Sequence, residues 1–118
     1  AFLMDQDKDS YILQAIFTEG NTALGTINAT ADISDADMES IGLCGVSFFQ
    51  ADVASTVHID QVTIMKQQSL SGVSESVEPM LIQAAAGSKS VYVSGIISTG
   101  TPTFAAADDL DLILHIEK

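Results

Sequence analysis

At 118 residues the chain is the size of one domain, and its 47% hydrophobic content is ample for one core without any run long enough to span a bilayer as a helix. Sixteen acidic residues against four lysines and no arginine give a formal net charge of −12. That balance repels phosphate backbones and argues against direct nucleic-acid or anionic-membrane binding.

The chain opens with Ala1-Phe2-Leu3-Met4, an apolar stretch followed by an acidic run. An Ala1 start suits removal of an initiator methionine and equally the cleavage of a longer leader. Residues 1–9 read as an N-terminal arm or edge segment, either folded back as a strand or docked on another chain. Residues 10–118 read as a single β-sandwich domain. Within it, residues 10–18 form the first long strand, with Tyr11, Leu13, Ala15 and Phe17 on one face. Residues 22–33 alternate small apolar with polar side chains, interrupted only by Leu24, and are expected to form the second. Ser34 then suits a helix N-cap, with Asp37 three residues on, Met38 and Ile41 at helical spacing and Gly42 as the stop.

Strands follow over residues 46–53 and 56–66. The apolar parity flips between Ile59 and Val62, which suggests a bulge near Asp60-Gln61. Residues 69–76 read as a loop. Residues 79–86 fit a strand or a short helix, the latter framed by Pro79 and Gly87, and the strand is preferred because Gly87-Ser88-Lys89 then turns the chain directly into the strand of residues 91–97. Thr99-Gly100-Thr101-Pro102 is a turn, residues 103–106 a short strand, and residues 109–117 the last one, alternating Leu110, Leu112, Leu114 and Ile116 with Asp109, Asp111, Ile113, His115 and Glu117. About eight strands with turns every 8 to 12 residues and one short helix fit an all-β, antiparallel β-sandwich of jelly-roll type.

Little chemistry stands out along these elements. Asp5, Asp7 and Asp9 have the alternate spacing that opens a calcium loop, but Ser10 stands where such a loop needs glycine and no glutamate closes it. A solvated acidic face is the simpler reading. Asp32, Asp35, Asp37 and Glu39 suit the start of a helix, and Asp108, Asp109 and Asp111 suit a turn. His58 and His115 each stand two residues from an acid, Asp60 and Glu117, without the third ligand a catalytic zinc needs. No Gly-x-Ser-x-Gly elbow or phosphate-cradling glycine loop is present. Cys44, the lone cysteine, reads as a buried structural thiol. The glycosylation sequon Asn28-Ala29-Thr30 falls inside an expected strand and is set aside. The chain therefore reads as a non-enzyme, with no catalytic residues, cofactor or metal.

In its Thr/Ala/Gly-rich strands, its compact length and the stretch from Ser98 through Thr101-Pro102-Thr103-Phe104 to Leu110, the chain resembles small virion proteins of tailed bacteriophages, notably head decoration (cement) proteins. The resemblance is one of texture across the whole length. It implies a β-sandwich or barrel, commonly trimeric, on the outer capsid surface, bound to the major capsid protein or another virion protein. It also implies a terminal docking arm, for which Ala1, Phe2, Leu3 and Met4 are the candidates by position. The alternative is an extracellular adhesion module binding carbohydrate or calcium.

Overall fold

The computed structural model describes residues 1–7, 9–51, 56–68, 80–104, 106 and 109–117. These carry seven strands and one helix: β1 (Phe2–Asp5), β2 (Ile12–Thr18), α1 (Asp35–Ser40), β3 (Leu43–Gln50), β4 (Val57–Ile59), β5 (Val62–Gln68), β6 (Tyr92–Thr99) and β7 (Leu110–Ile113). The chain divides into two compact units. One comprises Ala1–Gln14, Ser47–Glu78 and Ile97–Lys118, the other Ala15–Val46 and Pro79–Ile96.

In the first unit β1 lies between β5 and β7, and β4 also pairs with β5. β1 runs antiparallel to both of its neighbours. Leu3 stands opposite Met65 on one side and Leu112 on the other, and Asp5 opposite Thr63 and Leu110. Leu3, Leu13, Phe49 and Met65 are buried here with Tyr11 and Ala51. Alternation explains the selection, because β1, β2 and β5 each bury every second residue along most of their length.

The expected bulge near Asp60 is instead a two-residue hairpin loop. Ile59 pairs with Val62 across it, and Asp60 takes φ 53°, the left-handed conformation that such loops require and aspartate tolerates. β7 is shorter than the strand expected over residues 109–117. Its register with β1 ends at Phe2↔Ile113, and residues 114–117 belong to no strand.

In the second unit, β2 and β3 are joined through the helix. Ser34 caps α1 by accepting from the Asp37 amide at 3.2 Å and donating its own hydroxyl to Asp37 Oδ2 at 2.7 Å. Asp35 and Asp37 lie in the first turn, where acids complement the helix dipole. Ile41 is buried at the helix end, and Gly42 (φ 64°) turns the chain into β3. Backbone bonds from Glu19 to Gly42 and from Gly20 to Ile41 close the unit.

The strand expected over residues 22–33 does not form. Gly25 (φ 142°) and Asn28 (φ 62°) leave the extended region, the Ala29 amide donates to Thr26 in a tight turn, and the Asp32 amide donates to Leu24. A single Gly25↔Ala31 bridge holds the base of this loop. Its alternation is made of alanine, glycine and threonine, which offer too little apolar area to hold a strand in place. Leu24, the residue that broke the pattern, is buried, whereas Ile27 is 90% exposed at the tip.

Residues 80–85 likewise form no strand. Met80 lies so close over Gly45 that a Cβ there would overlap its sulfur, and the segment passes β3 by side-chain packing and not by a ladder. Among residues 103–106 those described are also outside any strand, while residues 69–76 lie outside the described residues. The fold is therefore mostly β and antiparallel in its described pairings, with seven strands in place of eight.

Candidate functional site

β1 carries the proposed docking arm, and the structure makes it a central strand. The Ala1 ammonium donates to Gln67 Oε1 at 3.2 Å, and the Ala1 carbonyl accepts from the Gln67 amide at 3.1 Å. Partial burial holds the terminal amine below its ordinary pKa. Phe2 meets His115 edge-on, with ring centroids 5.6 Å apart. Leu3 is 2% exposed, while Ala1, Phe2 and Met4 are half-buried. Of the two fates expected for this segment, folding back as a strand is the one seen. It is not an edge, because its backbone is hydrogen-bonded on both sides, and Leu3 is closed to any partner.

The three spaced acids are separated by the same strand. Asp5 ends β1 facing inward and is fully buried, whereas Asp7 is exposed and Asp9 half-buried. Asp5 Oδ1 accepts from the Asp7 amide at 2.8 Å, turning the chain out of the sheet. Asp9 Oδ2 accepts from the Thr103 amide at 2.6 Å. They do not curl into a calcium loop of alternate ligands. Among the described residues no three histidine, cysteine or acidic side chains gather as a metal cluster.

Asp5 has a polar setting that periodicity alone does not reveal. Thr63, also fully buried, stands opposite it on β5, and His58 stands opposite Thr63 on β4 with Nδ1 3.2 Å from the Thr63 hydroxyl. Tyr11 reaches the same carboxylate. Burial raises the Tyr11 pKa well above its ordinary value, the charge of Asp5 and hydrogen bonding to it raise it further, and Asp9 adds to the effect. The contact falls short of full hydrogen-bond geometry, however, and both Asp5 Oδ2 and Tyr11 Oη remain buried without a partner. The Tyr11 ring is fixed edge-on against Phe104, with centroids 5.9 Å apart. The sequence places Tyr11 on the apolar face of the first long strand, but its proximity to Asp5 depends on how the 5–11 segment turns between strands.

The remaining candidates are dispersed. Cys44 is half-buried in β3 and donates to the Gln83 carbonyl at 3.3 Å. His115 lies beyond β7, and not in a strand. Asp109 Oδ2 accepts from the Ala106 amide at 2.5 Å, the turn expected there, while Asp108 lies outside the described residues. Asn28-Ala29-Thr30 occupies the exposed turn of the Leu24–Asp32 loop and not a strand.

The exposed apolar side chains trace a different feature. β4 pairs only with β5 among the described residues, all three of its residues are exposed, and two of them are Val57 (47%) and Ile59 (58%). Leu43 and Val93 are also more than half exposed on β3 and β6. The described chemistry is thus a buried acid–phenol pair and exposed aliphatic strand residues, Val57 and Ile59 in the first unit and Leu43 and Val93 in the second. In comparison with known proteins, the chain matches no family model, no curated protein and no solved structure.

Proposed function

We propose that this chain is a non-enzymatic structural protein that acts through protein–protein contacts, as a decorating or stabilising component of a tailed-bacteriophage capsid. The observation that carries the contact reading is β4, an edge strand that offers two β-branched aliphatic residues to solvent. Such an edge is a template for pairing with another chain unless it is blunted by charge or covered. The virion assignment draws on the texture of the sequence, above all the stretch from Ser98 to Leu110. In this reading the strands close into a two-layered, jelly-roll sandwich. Self-association gives a homo-oligomer, preferably a trimer, and the outer partner is the major capsid protein or another virion protein. Neither a cofactor nor nucleic acid nor membrane takes part.

The test is the mass of the purified chain by size-exclusion chromatography with light scattering, followed by binding to capsid shells. Wild type is expected at three times 12.4 kDa. Ile59→Lys is expected to lower the mass to that of the monomer while leaving the melting temperature within about 2 °C, as surface substitutions do. A monomeric wild type that ignores the shells would overturn the reading.

A further inference from the structure

Within the first unit β5 and β1 lie between β4 and β7, and every neighbouring pair in that row is antiparallel. Three reversals leave β7 running opposite to β4. Among the described residues β4 pairs only with β5 and β7 only with β1, so the row ends in an edge on each side. Register carries the faces across it: Val57 stands opposite Ile64, Ile64 opposite Met4 and Met4 opposite Asp111. Val57, Ile59 and Ile113 therefore point to one face, and all three are exposed. Beyond β7 the apolar alternation of the sequence continues through Leu114 and Ile116, although residues 114–117 belong to no strand. Both side chains are exposed, Ile116 at 77%. The same unit thus presents an aliphatic edge and a strand-patterned segment whose aliphatic residues stand in solvent.

We propose that β4 of one copy receives residues 110–116 of a second copy as an added strand. The proposal rests on the contact reading above, for it names the occupant of β4. Edge strands take up such segments through main-chain hydrogen bonds, with side chains setting the register. A second copy offers the segment in the right direction without being turned over. Because β7 runs opposite to β4, a head-to-tail neighbour meets it antiparallel, as in every pairing already within the row. Placing Ile113 opposite Ile59 sets aliphatic against aliphatic on the shared face and brings Leu114 opposite His58. A slip of two residues sets Val57 against Ile113 but Asp111 against Ile59, a charge against an aliphatic side chain. Pairing β7 with a second β7 brings the Asp111 side chains of both copies, with Asp109 beside each, onto one ladder, where like charges oppose association. Pairing β4 with a second β4 leaves Leu114 and Ile116 in water. One head-to-tail contact uses both edges at once, and repeated with threefold rotation it closes the ring of three copies.

The experiment reads the mass and the cross-linking of the full chain. A double variant, Leu114→Pro with Ile116→Pro, removes two amide donors from the added segment at positions outside any strand of the folded copy. Its mass is expected to fall from three times 12.4 kDa to 12.4 kDa, with a melting temperature within about 2 °C of wild type. Under mild oxidation, Ile59→Cys and Ile113→Cys proteins refolded together are expected to join through their introduced thiols. Neither protein alone, nor wild type with Cys44 only, is expected to give that product. A proline variant that remains a trimer, or oxidation that joins Ile59→Cys only to itself, overturns the inference and leaves the contact reading standing, because β4 then receives something else. A monomeric wild type overturns both. If the proline variant does not fold, the cross-link decides, and its absence from a trimeric mixture overturns the proposal.

Discussion

Asp5 and Thr63 face each other across the β1–β5 ladder, and neither side chain reaches solvent. Thr63 engages His58, but Asp5 keeps one oxygen without a donor. Asp5→Asn removes the buried charge while retaining the oxygen that accepts from the Asp7 amide. It is expected to raise stability by about 1 kcal/mol. Asp5→Ala also deletes that acceptor and is expected to cost about 2 kcal/mol relative to Asp5→Asn. Urea denaturation of the three proteins decides the order.

Tyr11 gives the chain an alkaline limit. Its pKa is raised on folding, so the folded state holds the phenolic proton when the unfolded state has begun to lose it. The associated stability is complete below the ordinary tyrosine pKa near 10 and is lost as pH rises through and beyond it. Unfolding free energy is expected to fall by up to about 1.4 kcal/mol per pH unit above pH 10 from this group alone. Tyr11→Phe is expected to remove that component, which denaturant melts between pH 9 and about 11 resolve.

Phe49 and Met65 are each 0% exposed in the first unit. Phe49→Ala is expected to destabilise by about 4 kcal/mol and Met65→Ala by about 3 kcal/mol. Met65→Leu, of similar volume, is expected to cost under about 1.5 kcal/mol. A Phe49→Ala protein as stable as wild type would show that this face is not the core.

Gly45 and Met80 form a steric pair in the second unit. A methyl group at Gly45 would overlap the Met80 sulfur, so Gly45→Ala is expected to cost about 2 kcal/mol by displacing the 80–85 segment. Adding Met80→Ala is expected to recover about half of that, a coupling measurable in a double-mutant cycle. Purely additive effects would mean that the two residues do not touch.

The parts of the fold legible in the sequence are those where local chemistry agrees with packing. Ser34, Asp37, Ile41 and Gly42 specified α1 because a cap, a periodic apolar pair and a glycine stop are all local signals. β2 was legible because buried apolar side chains, three of them large, fill every second position from Tyr11 to Phe17. Residues 22–33 misled because alternation among alanine, glycine and threonine carries the period of a strand without the area to hold one, and Asn28 is content in a turn. The parity flip at Asp60-Gln61 looked the same for a bulge as for a hairpin, and only pairing of Ile59 with Val62 distinguishes them. The Asp5–Tyr11 pair and the central place of β1 were illegible for a related reason. Both arise from which distant segments become neighbours, and no residue within 1–11 encodes its partners at Thr63 or Leu112.

The placement of Phe2–Asp5 between β5 and β7 has a consequence for how the polypeptide acquires its shape during synthesis. Phe2 is translated well before Ile113, yet they lie side by side. The residues of β1 must therefore wait, without one flank, while more than a hundred others leave the ribosome. Contacts of such long sequence separation make folding slow. They also leave an aliphatic edge open to misassociation for the whole of translation.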